Sequence, residues 1–271
     1  MRTYIEDALA LKFPPLAIYH SQTKPAEAEV MTTLCSMLMV ARAAKGGTVA
    51  MDVSSCRCNG AANGFGLEDM SFDNFPGGRE CFLRFLSIGN KGWEQGRAAI
   101  QQLKDAGAPK IMLDEFTEGE GFLKSTDLVA AWLDSLPKAN PGGPWVIIKP
   151  LKDLKDDETP RAVAFLVDPD QLSALTILAN FPGPGDIDRV RIPFGAGCTC
   201  FGLYAFQEAE QEFPRAIVGL TDISARFYLS KALDRDILSF TAPWSLFQEM
   251  EANAPESFLT HFAWKSIRDR S

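Results

Sequence analysis

One order of elements occurs twice in this chain: strand, helix, strand, a Cys-x-Cys pair, then a glycine-containing turn. Residues 16–19, 31–45 and Cys56/Cys58 are answered by residues 162–167, 169–179 and Cys198/Cys200. A repeat of that kind confines the chain to strands and helices that share a core, and it predicts a degenerate internal duplication. Two halves related by a pseudo-twofold axis would bring the thiol pairs face to face. The expected fold is α+β, with mixed sheets and packed helices. An N-terminal half over residues 1–140 and a C-terminal half over 145–271 are expected to form one compact unit. Between them, residues 137–144 are rich in Pro, Gly and Asn and make the strongest break in the chain.

Local signals fill in this frame. Residues 145–151 and 162–167 are apolar runs that read as strands, separated by the charged loop 152–161. Asp168 followed by Pro169 places a capping residue before proline at the first helical position, so residues 169–179 are predicted helical. Helices are also predicted over 93–106 and 127–136, with a strand at 110–113 between them. Downstream, a strand over 189–194 leads to the second thiol pair. A strand at 216–220 and a helix over 222–232 follow, with Asp222 and Arg226 expected as a solvated i, i+4 ion pair.

Composition excludes several classes of function. Hydrophobic content of 46% with 23% charged residues is that of a chain with a full core. The 35 acidic residues outnumber the 27 basic ones, for a net charge of −8, which argues against binding to a nucleic-acid backbone. No run approaches the roughly 20 apolar residues needed to span a bilayer, and the charged N-terminus lacks the pattern of an export signal. A cytoplasmic location is therefore expected. In a reducing compartment the six cysteines point to metal ligation, redox chemistry or burial before a disulfide framework.

On extended backbone, residues i and i+2 point the same way, about 6.4–6.8 Å apart at the α-carbon. Two such pairs present four thiolates, a set that suits an iron–sulfur cluster or zinc. The spacing is unusual for either. Glycine-rich surroundings with only two histidines lean toward iron–sulfur, because backbone N–H groups can donate to cluster sulfurs. Cys56, Cys58, Cys198 and Cys200 are the first-choice ligands, with Cys35 or Cys81 as substitutes and Gly60 and Gly197 as neighbouring amide donors. His20 and His261 read as structural, and no Ser–His–Asp set can be assembled around them.

Beyond these patterns, Pro15-Leu-Ala-Ile, Cys58-Asn-Gly60 followed by Phe65-Gly66-Leu67, Lys149-Pro150-Leu151, Gly195-Ala-Gly-Cys198 and Thr221-Asp222 with Arg226 resemble the domain of unknown function family 169. The resemblance implies a protein of anaerobic prokaryotes with cysteine at the positions of Cys35, Cys58 and one of Cys198/Cys200. Cys56 and Cys81 depart from it as additions, and Tyr19 or His20 stands where the family often has lysine. It implies no activity. The resulting expectation is an iron–sulfur protein of anaerobic metabolism, in electron transfer or cluster and sulfur handling, with a redox partner protein or small molecule. A non-catalytic small-molecule-binding protein with passive thiols, or a zinc or thiol-dependent enzyme, is the alternative.

Overall fold

The computed structural model describes residues 2–32, 35–56, 58–67, 72–138, 142–185 and 188–270. In chain order the strands are β1 (Leu16–Ser21), β2 (Glu29–Val30), β3 (Val49–Met51), β4 (Trp145–Pro150), β5 (Ala162–Val167), β6 (Val190–Arg191), β7 (Ala216–Gly219) and β8 (Leu238–Pro243). The helices are α1 (Tyr4–Ala8), α2 (Met37–Ala44), α3 (Asn59–Gly64), α4 (Gly78–Phe85), α5 (Glu94–Asp105), α6 (Lys110–Glu118), α7 (Thr126–Ser135), α8 (Pro169–Asn180), α9 (Gly197–Phe201), α10 (Leu203–Glu208), α11 (Ile223–Leu229), α12 (Trp244–Asn253) and α13 (Phe262–Arg268). The chain divides into two compact units, one of residues 1–68 and 138–271, the other of residues 69–137.

The first unit is an α+β structure on one eight-stranded mixed sheet, ordered β2-β3-β4-β1-β5-β8-β7-β6. At its centre β1 and β5 run antiparallel, pairing Leu16 with Ala164 and Ile18 with Ala162. Moving outward, β4 is antiparallel to β1 and β8 to β5. Next, β3 is antiparallel to β4 and β7 to β8, while the edge strands β2 and β6 are parallel to β3 and β7. Order and directions therefore repeat as they would about a twofold axis normal to the sheet at the β1–β5 seam.

The sheet assigns correspondences that differ from those read off the sequence pattern. Helix α2, between β2 and β3, answers α9 and α10, between β6 and β7. The expected match of residues 31–45 with 169–179 is thus corrected: α8 follows β5 directly, where the other half has no helix between β1 and β2. Cys56 and Cys58 come after the third strand of their half, whereas Cys198 and Cys200 come before the third strand of theirs. Periodicity finds elements, but only strand neighbours show which ones are equivalent.

All six residues of β5 are buried, which explains its uninterrupted apolar run. Val163, Phe165 and Val167 pack with Ile5, Leu175, Leu178, Leu246, Phe247 and Met250, in a core made with α1, α8 and α12. The alternate residues face the opposite side. On that side α2 packs on β3 and β4, α9 on β7, and α10 on β7 and β8. Lys149 on β4 is buried but not isolated, since its ammonium bonds Glu158, which also accepts the Tyr19 hydroxyl at 2.6 Å. The three side chains pin the charged loop to the sheet, and a buried cation requires such a partner.

In the second unit, α4, α5 and α6 contribute the core of Cys81, Ala99, Ile100 and Phe116. Residues 110–113 belong to helix α6, not to the expected strand. A short apolar run fits either period, and here Phe116, one turn on, is the side chain buried in the core. Asn90 holds the unit together from inside, donating to the carbonyls of Cys81 and Phe116 at 3.0 and 3.1 Å.

Helix α8 begins as the sequence predicts. Asp168 accepts from the Gln171 N–H at 2.8 Å, and the Gln171 side chain accepts from the Asp168 N–H at 3.2 Å, which closes a capping box ahead of Pro169. Replacing Asp168 with Ala is expected to lower the unfolding free energy by about 1 kcal/mol. Urea denaturation followed by circular dichroism measures it, with the m-value unchanged.

Candidate thiol site

On the face opposite the α8–α12 core, α3 packs on α9 and α2 on α11. Each of these four helices brings one acidic or thiol group to its first turn. Cys35 lies just before Ser36, the N-cap of α2, and Cys58 is itself the N-cap of α3. Cys198 is the second residue of α9, and Asp222 is the N-cap of α11.

The contact between α3 and α9 is close because of glycine. A Cβ on Gly64 would stand 2.7 Å from the Cys198 sulfur, and one on Gly202 would stand 2.2 Å from the Gly64 carbonyl oxygen. Cys198 uses that proximity, donating its S–H to the Gly60 carbonyl at 3.3 Å.

Electrostatically the thiols crowd one another. Burial pushes the Cys58 thiol up to about 12, the nearby Cys35 and Cys56 push the same way, and the N–H groups of Ala61 and Gly60 oppose them. Cys198 is held well above the ordinary thiol range by burial, then by Cys58, Asp222 and Cys35. Three thiols from separate segments thus sit within reach of one another's charge, beside a carboxylate that burial also pushes up. Thiolates here are unfavourable until a positive centre joins them, and a metal would release their protons on binding.

The expected ligands do not all share this place. Cys200 is turned away, because Cys198 and Cys200 lie within a helix and not on extended backbone, so residues i and i+2 diverge. Its Cβ packs where a Gly219 Cβ would be 2.8 Å away, against β7, and burial pushes its thiol up to about 12. Cys56, by contrast, lies near enough to Cys58 to raise its thiol, and donates its S–H to the Cys58 carbonyl at 3.1 Å. Cys81 belongs to the core of the second unit. Gly60 serves both sulfurs, by its N–H toward Cys58 and its carbonyl toward Cys198. The Gly197 N–H donates to Asp222.

As the side chains stand, no group of three His, Cys, Asp or Glu among the described residues is arranged to hold a metal ion. All six cysteines are in the thiol form.

Asp222 escaped the sequence reading. It forms no ion pair with Arg226, whose guanidinium donates instead to the carbonyls of Leu220, Ile237 and Arg235. Its carboxylate caps α11 through the Ala225 N–H at 2.6 Å and binds the Gly197 N–H at the start of α9. The capping pattern Thr221-Asp222 was visible, but the second bond joins residues 25 positions apart.

A family model described as uncharacterised ArCR, DUF169, matches residues 4–253, a span that includes the whole sheet and every cysteine. The chain belongs to DUF169. The motifs that resembled the family map onto β1, α3, β4, α9 and α11. No curated protein and no solved structure matches this DUF169 chain. No helix among the described residues is long and apolar enough to cross a membrane.

His20 lies on the thiol face of β1. Its Nε2 bonds the Phe65 carbonyl at 2.9 Å, just past α3, and its ring meets Phe206 edge-on at 5.2 Å. Burial lowers its value from 6.5 to about 4, against the opposing Phe65 bond and with a smaller push from Arg161 in the same direction as burial. The unfolded chain takes up this proton near pH 6.5 and the folded chain near pH 4. Stability is therefore full above 6.5 and is lost as pH falls through that window. A His20→Gln variant is expected to show about 2 kcal/mol less loss of unfolding free energy than the parent between pH 7 and 4.5, measured by urea titration at each pH.

Proposed function

We propose that this DUF169 protein binds an iron–sulfur cluster through Cys35, Cys58 and Cys198 and acts in electron transfer or cluster and sulfur handling in anaerobic metabolism. The observation that carries the reading is that Gly60 stands against two of these sulfurs, a Cβ at its position lying 3.7 Å from that of Cys58 and its carbonyl oxygen 3.3 Å from that of Cys198, with Cys35 close enough to raise both thiols. The family resemblance implies cysteine at the positions of Cys35, Cys58 and one of Cys198 and Cys200. When bound, such a cluster supplies a one-electron redox centre.

The chain's own part is to hold and tune. Gly60 and Ala61 direct N–H groups toward the Cys58 sulfur, which favours its thiolate and lowers the electron density it returns to a metal. Gly64 lets α9 approach α3 closely enough for Cys198 to reach the same place. Burial of Cys198 restricts water, a condition that slows loss of a labile centre. Arg191 opposes the rise of the neighbouring Cys200 thiol.

Anaerobically purified protein is expected to be brown, with broad visible absorption and bound iron. Cys35→Ser, Cys58→Ser and Cys198→Ser should each lose that iron while keeping the parent's circular dichroism, and Cys200→Ser and Cys81→Ser should keep it. A colourless parent, with zinc or with no metal, or a Cys58→Ser variant of unchanged iron content, rejects the assignment.

A further inference from the structure

The turn that leaves β3 and the residues that enter β4 enclose a pocket of about 390 Å³, lined by Asp52, Val53, Ser54, Leu67, Gly143 and Pro144. We infer that this pocket binds a small organic cation, an ammonium group joined to a compact apolar body, with Asp52 as the counter-charge. It holds whether or not the thiols carry a metal.

Three backbone features build the pocket. Met51 pairs with Val146, so β3 and β4 end side by side, and Asp52 leaves the sheet next to where Pro144 enters it. Gly143 runs against β1: a Cβ there would stand 2.3 Å from the Ser21 carbonyl oxygen, so that wall is bare backbone. Leu67 is positioned by Gly66, whose φ is +73°, and by its own N–H, which donates to the Ala62 carbonyl at 2.8 Å past the end of α3. Val53, Leu67 and Pro144 make the walls mostly apolar. Val53 keeps 46% of its surface exposed, so the protein itself leaves this side chain largely uncovered.

The charge comes from Asp52. Its Oδ1 accepts from the Ser55 N–H at 2.9 Å, the Ser55 hydroxyl at 2.6 Å and the Ser54 hydroxyl at 3.0 Å, whereas Oδ2 shares that Ser54 hydroxyl at 3.0 Å. One oxygen is saturated and the other retains acceptor capacity. Burial raises the group, but the bonds from Ser55 and Ser54 outweigh it and hold the carboxyl below its ordinary value, so it is charged at neutral pH. No lysine or arginine among the described residues forms an ion pair with it. Apolar walls with one oriented polar group are the usual construction of a small-molecule site, and here the group selects by sign: an anion is repelled, and a neutral ligand leaves the carboxylate unpaired. The same turn hands the chain on to Cys56, whose N–H donates to the Asp52 carbonyl at 3.0 Å, so a ligand held by Asp52 rests on the backbone that carries the first thiols.

The test titrates benzylammonium, benzyl alcohol, benzoate and methylammonium into the full-length reduced protein, with binding read from chemical-shift changes in its nuclear magnetic resonance spectrum. Benzylammonium should bind about fivefold more tightly, or better, than benzyl alcohol, which has the ring without the charge, and than methylammonium, which has the charge without the ring. Benzoate should not bind, and the shifts should map to Val53, Ser54 and Leu67. Asp52→Asn keeps an oxygen for the Ser55 N–H and should lower benzylammonium affinity about fivefold while leaving benzyl alcohol unchanged. Val53→Lys, at an exposed position, tethers an ammonium beside Asp52 and should abolish benzylammonium binding. A parent that prefers benzyl alcohol or binds the two alike, shifts that map elsewhere, or a folded Asp52→Asn variant of parental affinity overturns the assignment. If the Asn variant fails to fold, parental affinity in Val53→Lys overturns it instead.

Discussion

The antiparallel pairing of β1 with β5 is the constraint from which the rest of the sheet unit follows. Three residue pairs, Leu16 with Ala164, Ala17 with Val163 and Ile18 with Ala162, join four strands of one half to four of the other. All six of these side chains are excluded from solvent. Because strand side chains alternate faces, a slip of one residue at this seam would send Val163 and Phe165 out of the α8–α12 core and onto the opposite helices. It would also break the register that places α3 beside α9. The thiol site is therefore a product of long-range strand pairing and not of any local motif.

The charge environments of the unit's two faces differ in a way that separates structure from chemistry. Beneath the charged loop, Lys149 is fully buried yet satisfied by Glu158 and, through it, Tyr19. That network is closed and needs nothing further. Across the sheet, Cys58, Asp222 and Cys35 raise the buried Cys198 thiol, and Cys35 and Cys56 raise that of Cys58. A folded protein ordinarily pairs its buried ionisable groups. Here the compensation within the chain comes from backbone N–H groups, those of Ala61 and Gly60 at Cys58 and of Ala225 and Gly197 at Asp222.

Much of the architecture was legible in the sequence, because its signals were local. The Asp168-Pro169 start of α8, the strands at 145–150 and 162–167, and the break before Trp145 all depend on residues within a few positions of one another. The break is where the chain returns from the unit of residues 69–137 to the sheet. The site was less legible. Cys198-Thr-Cys200 looks like a two-toothed ligand only if the backbone is extended, and one short helical turn separates the teeth. Cys35 gave no local sign, since a thiol on an apolar helix is most often packing. Asp222 owes its position to an amide far away in sequence, and no pattern of neighbouring residues could have revealed it.

The repeated sheet carries one more implication, for how the two halves could change. An assembly of two identical subunits must place the same residue at both equivalent positions, so any substitution is made twice. Joining the halves into one polypeptide removes that obligation. The two halves already use that freedom: β5 runs directly into α8, where no helix stands between β1 and β2, so a repeated order of strands persists beside an element that one half holds alone.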